Sequence, residues 1–229
     1  MRVSVVTCTF NRAEFLRKTL LSIFSQALLP EFELLVIDDG STDHTRDIVA
    51  EFPFVRYIRL NRPGHWKNPS RALNVGIRQA RAPIILFHSG GIVSETNTIA
   101  ELTALVEQNP DAACFGKLLA GNATWVSSAN RRIVFTLGAM RTEHFYTLRG
   151  FDEDYTDYGG EDHDMALRLT KGLHLRVIHD DTIVARHLPH PGSRQSVTTM
   201  ATLRARKNEE WDRGKINHIR NLNRDWGVV

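Results

Sequence analysis

At 229 residues the chain is long enough for one domain with a full core, and 42% hydrophobic with 24% charged residues is the balance of a globular protein, not a disordered or fibrous one. No apolar run approaches the roughly 20 residues needed to cross a bilayer, and "MRVSVVTCTF" reads as a strand rather than a cleavable leader, so a cytoplasmic protein is expected. The net charge is +3, yet Ala201 to Val229 alone carries seven Lys/Arg and four Asp/Glu, a basic tail that suits either a solvated helical face or attraction to nucleic acid or an anionic membrane surface.

The elements follow in chain order. "VSVVTC" is a continuous β-branched run, as expected of a strand buried on both faces. Leu16, Leu20, Ile23, Phe24 and Ala27 recur at helical spacing up to Pro30. "FELLVID" is a second buried strand, "STDHTRDIVAEF" a helix opened by capping residues, and "FVRYIRL" a third strand. "NPSRALNVGIRQA" places Asn68 as an N-cap with Pro69 at the first helical position. "PIILF" is a fourth strand and "TNTIAELTALVEQNP" a helix closed by Asn-Pro. The second half is less regular: "DAACFGKLL", "ATWVSS" and "RRIVFTLG" read as strands, and "LHLRVI" and "DTIVARH" as a later pair. Repeated strand–helix alternation predicts an α/β domain with a mixed, mostly parallel sheet flanked by helices. The expected organisation is a single domain over about 1–190, in two halves that divide near residue 92, with a basic helical extension over 191–229. Cys8 and Cys114 lie in strand-like runs and read as buried thiols; no CxxC or Cys/His cluster suggests structural zinc.

Ligands of such sheets bind at the carboxyl ends of the strands. Two strand-end loops there are unusually polar, Thr7 to Arg12 ("TCTFNR") and Asp38 to Asp43 ("DDGSTD"). Acids, glycine and hydroxyls at neighbouring strand ends favour a base or ribose site, although Asp38, Asp39 and Ser41 would also shape a turn and cap a helix. The chain has no GxGxxG after the first strand, no GxxxxGK[ST] and no G-x-S-x-G, which sets aside dinucleotide binding, P-loop phosphoryl transfer and the common serine hydrolase arrangement. Farther on, "GGEDHDMALRL" runs two glycines into Glu161, Asp162 and Asp164 at a helix start. Capping and the helix dipole account for some acid there, but not for a group of three behind a double glycine.

Four stretches, "VSVVTCTFNRAEFLRKTLLSIFSQ", "FELLVIDDGSTDHT", "PSRALNVGIRQA" and "GAMRTEHFYTLRGFDEDYTDYGGEDHDMALRL", resemble successive blocks of inverting family 2 glycosyltransferases with the Rossmann-like GT-A fold. The last block, through "VARH", is also similar to the C-terminal part of beta-1,4-galactosyltransferases. The resemblance covers residues 1 to about 190 and implies a nucleotide-binding half over about 1–92 and an acceptor-binding and catalytic half over about 93–190. It implies a hexosyl transfer from a nucleotide-sugar, usually a UDP-sugar, to a hydroxyl of a glycan, a lipid-linked saccharide or another acceptor. It implies that Thr7, Cys8, Thr9, Phe10, Asn11, Arg12 and Asp39 hold the nucleotide, and that Lys67 and Arg71 lie near the donor phosphates. It further implies Asp162 as general base, Glu161 beside it as an acceptor ligand, and Tyr158, Gly159 and Gly160 against the acceptor sugar. A base in this reaction must reach the acceptor hydroxyl at hydrogen-bond distance, on the side opposite the leaving diphosphate.

One block departs from the family. Where an Asp-x-Asp would bind Mn²⁺ or Mg²⁺, the chain reads "LFHSGGIV", with His88 at the first acid and Gly90 and Gly91 at the later ones. Hard divalent cations prefer oxygen ligands. A weak or absent metal dependence is therefore expected, with Mn²⁺ on His187 and His88 the arrangement open to a metal. Otherwise the diphosphate charge falls to Lys67, Arg71, His88, His187 and Arg194. The same departure leaves a second class of function open, a catalytically decayed domain that only binds nucleotide-sugar or glycan. A nucleotidyltransferase would need a Gly-rich basic loop after the first strand, and "TCTFNR" does not supply one.

Overall fold

The computed structural model describes residues 1–61, 68–189 and 197–229. Four parallel strands form its first half: β1 (Val3–Thr9), β2 (Phe32–Asp38), β3 (Val55–Arg59) and β4 (Ile84–His88). They stand in the order β3-β2-β1-β4, so the chain begins in mid-sheet and winds outward in two directions. β8 (Leu137–Arg141) then joins β4 antiparallel, and β6 (Ala112–Ala120) joins β8 antiparallel. β9 (Arg176–His187) runs parallel to β6, with β5 (Ile92–Ser94) antiparallel at its far edge and β7 (Ala123–Val126) as a hairpin on β6.

Alternation along the central strands feeds two apolar layers, because successive side chains point to opposite faces. Val3, Val5, Val36 and Leu86 face α1 (Ala13–Phe24) and α4 (Thr98–Gln108), while Val6, Ile37, Ile85 and Phe87 face α3 (Ser70–Gln79). On this second face Phe87, Phe115, Phe135, Phe145 and Phe151 pack edge to face with centroids 5.1–5.8 Å apart. That aromatic block carries α5 (Thr142–Leu148) and α6 (Glu161–Leu167), the helix on which the acid cluster sits. α2 (Thr45–Ala50) starts where the Asp43 carboxylate accepts from the Thr45 backbone N–H and hydroxyl, as its capping sequence requires.

Two expected elements take another form. "RRIVFTLG" becomes a strand only at Leu137 and Gly138; residues 131–136 run irregularly, and the Phe135 N–H donates to a side chain, Asp162 Oδ1, instead of to a sheet partner. "LHLRVI" and "DTIVARH" are not a pair, since half of the first and all of the second lie in one strand, β9, whose register against β6 shifts between Gly116 and Lys117. The glycine is required at that irregularity: a Cβ on Gly116 would lie 2.9 Å from the Ile183 carbonyl oxygen.

The basic tail turns inward. α7 (Val197–Asp212) sends Lys207 to Asp152 and Asp154, and the non-helical residues after it send Arg220 to Asp164 and Asp152 and Arg224 to Asp154. Lys207 and Arg220 are buried, and Trp226, 2% exposed, closes the second apolar layer. Three of the tail's seven cations are thereby matched by acids of the domain. The segment is thus latched onto α6 and the loop that precedes it. No helix among the described residues is long and apolar enough to cross a membrane.

Candidate active site

Two cavities meet at the carboxyl ends of β1 and β4 and the start of α6. The smaller encloses about 170 Å³ and is lined by Thr9, Asp39, Leu73, Gly90 and Phe135 among others. The larger is an open cleft of about 940 Å³ between the segment 130–134, the loop 158–160 and α7. Phe10, Arg12, Ser89, Thr136, Glu161 and Asp162 line both, so these six residues form the seam where two bound molecules would touch.

At the seam, Asp162 Oδ1 accepts the Phe135 N–H at 3.0 Å, which fixes the carboxyl plane. Oδ2 has no protein hydrogen bond among the described residues and is left for a ligand. Burial and the neighbouring Glu161 push the Asp162 carboxyl well above the usual range, opposed by the Phe135 N–H and Arg132. Burial also raises Glu161, whose Oε2 accepts from Asn68 Nδ2 at 2.7 Å. Asn68, 2% exposed, spends its remaining groups locally: Nδ2 also reaches the Asp157 carbonyl, and Oδ1 accepts from the Ser70 N–H and hydroxyl. One side chain thus caps α3 and ties its start to the start of α6. Gly160 has φ +99°, and a Cβ there would lie 2.4 Å from the Tyr155 ring; only glycine lets the chain enter α6 at this angle. The third acid, Asp164, does different work. Burial alone would raise it, but Arg168 and Arg220 hold it below the ordinary range, and it anchors the latch.

The two acids at the end of β2 also divide. Asp38 is structural: it accepts from Tyr57 Oη at 2.5 Å and from the Ser41 N–H at 2.7 Å. Asp39, one residue on, lines the smaller cavity, with its own N–H donating to the Thr9 carbonyl. Burial and then Asp39 push the Cys8 thiol up, so it lines that cavity as a neutral group.

The structure brings Cys8, Thr9, Phe10, Arg12, Asp39, Glu161 and Asp162 to the smaller cavity, and Tyr158, Gly159, Gly160 and His187 to the cleft. It does not bring four other expected residues there. Thr7 is sealed on the opposite face of β1. Asn11 clasps the neighbouring loop, its Oδ1 accepting from the Thr42 N–H at 2.7 Å. Arg71 turns to the Val228 carbonyl. His88 is fully buried on the face opposite Phe87, with Nε2 against Ser94 Oγ at 2.9 Å, and burial pushes its imidazole down to about 4. Lys67 and Arg194 lie outside the described residues. Sequence reasoning missed the Asn68–Glu161 tie, the Phe135 N–H, Trp125 and Arg204; Asn68 had a signal only as a cap.

The residues at "HSGG" do not fit a divalent cation. A Cβ on Gly90 would lie 2.9 Å from the Cys8 carbonyl oxygen, and one on Gly91 would meet Arg12 Nη1 at 3.6 Å, so a cationic group stands beside the position where the family carries a metal-binding acid. Only one of the two expected histidine ligands, His187, reaches the cleft, where its ring packs edge-on to Trp125. No three His, Cys, Asp or Glu converge among the described residues.

Residues 4–175 match the family described as Glycosyl transferase family 2. The chain belongs to that family. It is 28% identical over 218 residues to a validoxylamine A glucosyltransferase of Streptomyces hygroscopicus subsp. jinggangensis, covering 73% of this chain and 51% of the relative. It is 25% identical over 166 residues to the poly(ribitol-phosphate) beta-N-acetylglucosaminyltransferase TarS of Staphylococcus aureus, covering 66% and 29%. The chain therefore spans about half or less of these relatives' lengths. Among solved structures, TarS 1-349 in complex with UDP-GlcNAc superposes with a TM-score of 0.70 at 20% identity, covering 90% of this chain and 66% of that one. A mannosyltransferase from Pyrobaculum calidifontis, in complex with GDP-Man and Mn²⁺, gives 0.67 at 21% identity, covering 83% and 58%. These likenesses establish the GT-A fold for a family 2 transferase domain, and the Mn²⁺ complex sets the metal-bound neighbour against the glycines of this chain.

Proposed function

We propose that the domain transfers a sugar from a nucleotide-sugar, a UDP-sugar in the first instance, to an acceptor hydroxyl with inversion, and that Asp162 is the general base. The observation that carries this reading is Asp162 lining both cavities at their seam, with one oxygen held by the Phe135 N–H and the other without a protein hydrogen bond among the described residues. In the step, Asp162 takes the acceptor's hydroxyl proton while that oxygen bonds to the anomeric carbon. The bond from that carbon to the diphosphate oxygen breaks, and its electron pair leaves on the nucleotide. The raised Asp162 favours proton uptake, and Glu161, fixed by Asn68, orients a neighbouring acceptor hydroxyl.

The nucleotide takes the smaller cavity, with Asp39 toward its base or ribose. Tyr158 and the bare backbone of Gly159 and Gly160 offer a surface for the acceptor, as the galactosyltransferase-like block implies. Arg12 lines both cavities and stays charged despite the lowering that burial imposes, so we assign it the diphosphate charge that a metal carries elsewhere. Weak or absent metal dependence follows.

The test is a nucleotide-sugar screen by thermal shift, since a ligand of the folded state raises Tm with concentration. NMR of the transfer product with the best donor then reads the anomeric configuration. An inverted product supports the reading; a retained one overturns it. Donor binding without transfer or hydrolysis would favour the decayed binding module, for which the missing acids at Gly90 and Gly91 are the motive.

A further inference from the structure

We propose that the acceptor is anionic, a saccharide or polyol carrying phosphate or carboxylate beside the hydroxyl that reacts. The inference rests on the transferase reading above and names the substrate class of its second site.

The walls of the cleft carry Arg131, Arg132 and Arg204, with His163 and His187 beside them and Arg12 at the seam. Among the described residues its acids are Glu161 and Asp162 on the floor, and burial raises both. On the rest of the surface arginines commonly have acid partners: Arg2 with Glu107, Arg17 with Glu51, Arg176 with Asp111, Arg186 with Glu95. Arg131, Arg132 and Arg204 form no ion pair among the described residues. Three guanidinium groups from two distant parts of the chain therefore converge on one cleft without an ion-pair partner among the described residues.

Their positions are built. Arg131 holds φ +51°, uncommon for a side-chain-bearing residue, and its N–H donates to the Ser127 carbonyl in a turn that Asn130 also pins. Arg132 lies 5.9 Å over the Trp125 ring. Arg204 sits three residues before Lys207 on α7, hence on the same face, and the buried Lys207 pairs fix that face against the domain. Fields from two of them reach the cleft floor, Arg132 on Asp162 and Arg204 on His163.

The donor does not account for these groups. Its diphosphate belongs at the strand ends, where Arg12 lines both cavities, whereas Arg131, Arg132 and Arg204 line the cleft alone. Planar guanidinium forks suit phosphate and carboxylate oxygens. Trp125 and Tyr158, in the same cleft, supply flat faces for a sugar ring.

The experiment is calorimetric titration of the protein saturated with UDP, so that the donor cavity is filled, using glucose, glucuronate and glucose 6-phosphate as probes. Binding at least ~10-fold tighter for an anionic probe than for glucose is expected from charge-assisted hydrogen bonds. The gap should narrow as salt rises and fall severalfold in both Arg131→Gln and Arg204→Gln, with Tm within a few degrees of wild type. Tight binding of glucose 6-phosphate alone would select phosphate; tight binding of both anions would select negative charge in general. Equal affinity for glucose and the two anions, or a preference untouched in both variants, would overturn the proposal. UDP release from a UDP-sugar, measured separately, reads the transferase assignment and does not depend on this result.

Discussion

Replacing Asn68 by Asp probes the joint between α3 and α6. The new side chain keeps the size of the old one and the oxygen that accepts from Ser70, but it puts a carboxylate oxygen where an amide N–H₂ donated to Glu161 at 2.7 Å. The charge-assisted bond that is lost contributes ~1.5–3 kcal/mol. Two carboxylates at that separation in a buried site cannot both ionise, so the pair must hold a proton and its folded pKa rises above the unfolded value. The sign follows: a group with a raised folded pKa adds stability below its unfolded pKa, and that stability is lost as pH rises through the folded pKa. Destabilisation should therefore be about 3–4 kcal/mol at pH 8, and about 1 kcal/mol at pH 5, where the proton held by the pair restores a hydrogen bond between the two carboxyls. For a chain of this size 1 kcal/mol moves Tm by roughly 2–4 °C, so melting should fall by about 6–16 °C at the higher pH and by a few degrees at the lower. Differential scanning calorimetry at both pH values is the assay. A loss of the same size at both, or none at either, would refute the account of Glu161 as a buried acid held by this amide.

Other consequences are as direct. The acid limb of kcat/KM should lie well above pH 4, the unperturbed aspartate region, because Asp162 must lose its proton before it can act and burial beside Glu161 raises it; activity undiminished down to pH 4 would contradict this. Transfer should survive EDTA, while Arg12→Ala should weaken UDP binding by ~10-fold or more through loss of a charged contact to phosphate; full loss in EDTA restored by Mg²⁺ alone would point to acids elsewhere in the chain. Lys207→Met leaves Asp152 buried with Arg220 as its remaining cation among the described residues and should cost about 2–4 kcal/mol in urea unfolding, somewhat under the range for a broken buried pair because Arg220 remains. An unchanged urea midpoint would mean that the tail is not a latch.

The sheet was readable because its central strands are β-branched runs, alternating with amphipathic helices across short loops. Asp162 and Glu161 were readable because two glycines and a helix start frame them. What escaped has physical reasons. A strand buried on both faces has no polar side in its pattern, so "PIILFH" does not say that His88 turns away from the cavity that Phe87 lines. Adjacent acids look alike in a sequence, yet Asp38 is consumed by Tyr57 and Ser41 while Asp39 faces the cavity. "RRIVFTLG" alternates like a strand, but the Phe135 N–H finds the Asp162 carboxylate instead of a sheet partner. The tie from Asn68 to Glu161 and the arrival of Arg204 at the cleft join residues far apart in the chain, and no local pattern encodes them. The basic tail was visible as charge, but its burial against Asp152, Asp154 and Asp164 was not.

The central claim is that Asp162 is the base, and the turnover of Asp162→Asn tests it most directly. Asparagine keeps an oxygen for the Phe135 N–H and cannot take the acceptor's proton. Turnover should fall by roughly 10²–10⁴-fold, with UDP affinity and Tm close to those of the wild type. Near-normal turnover in the folded variant would contradict the account.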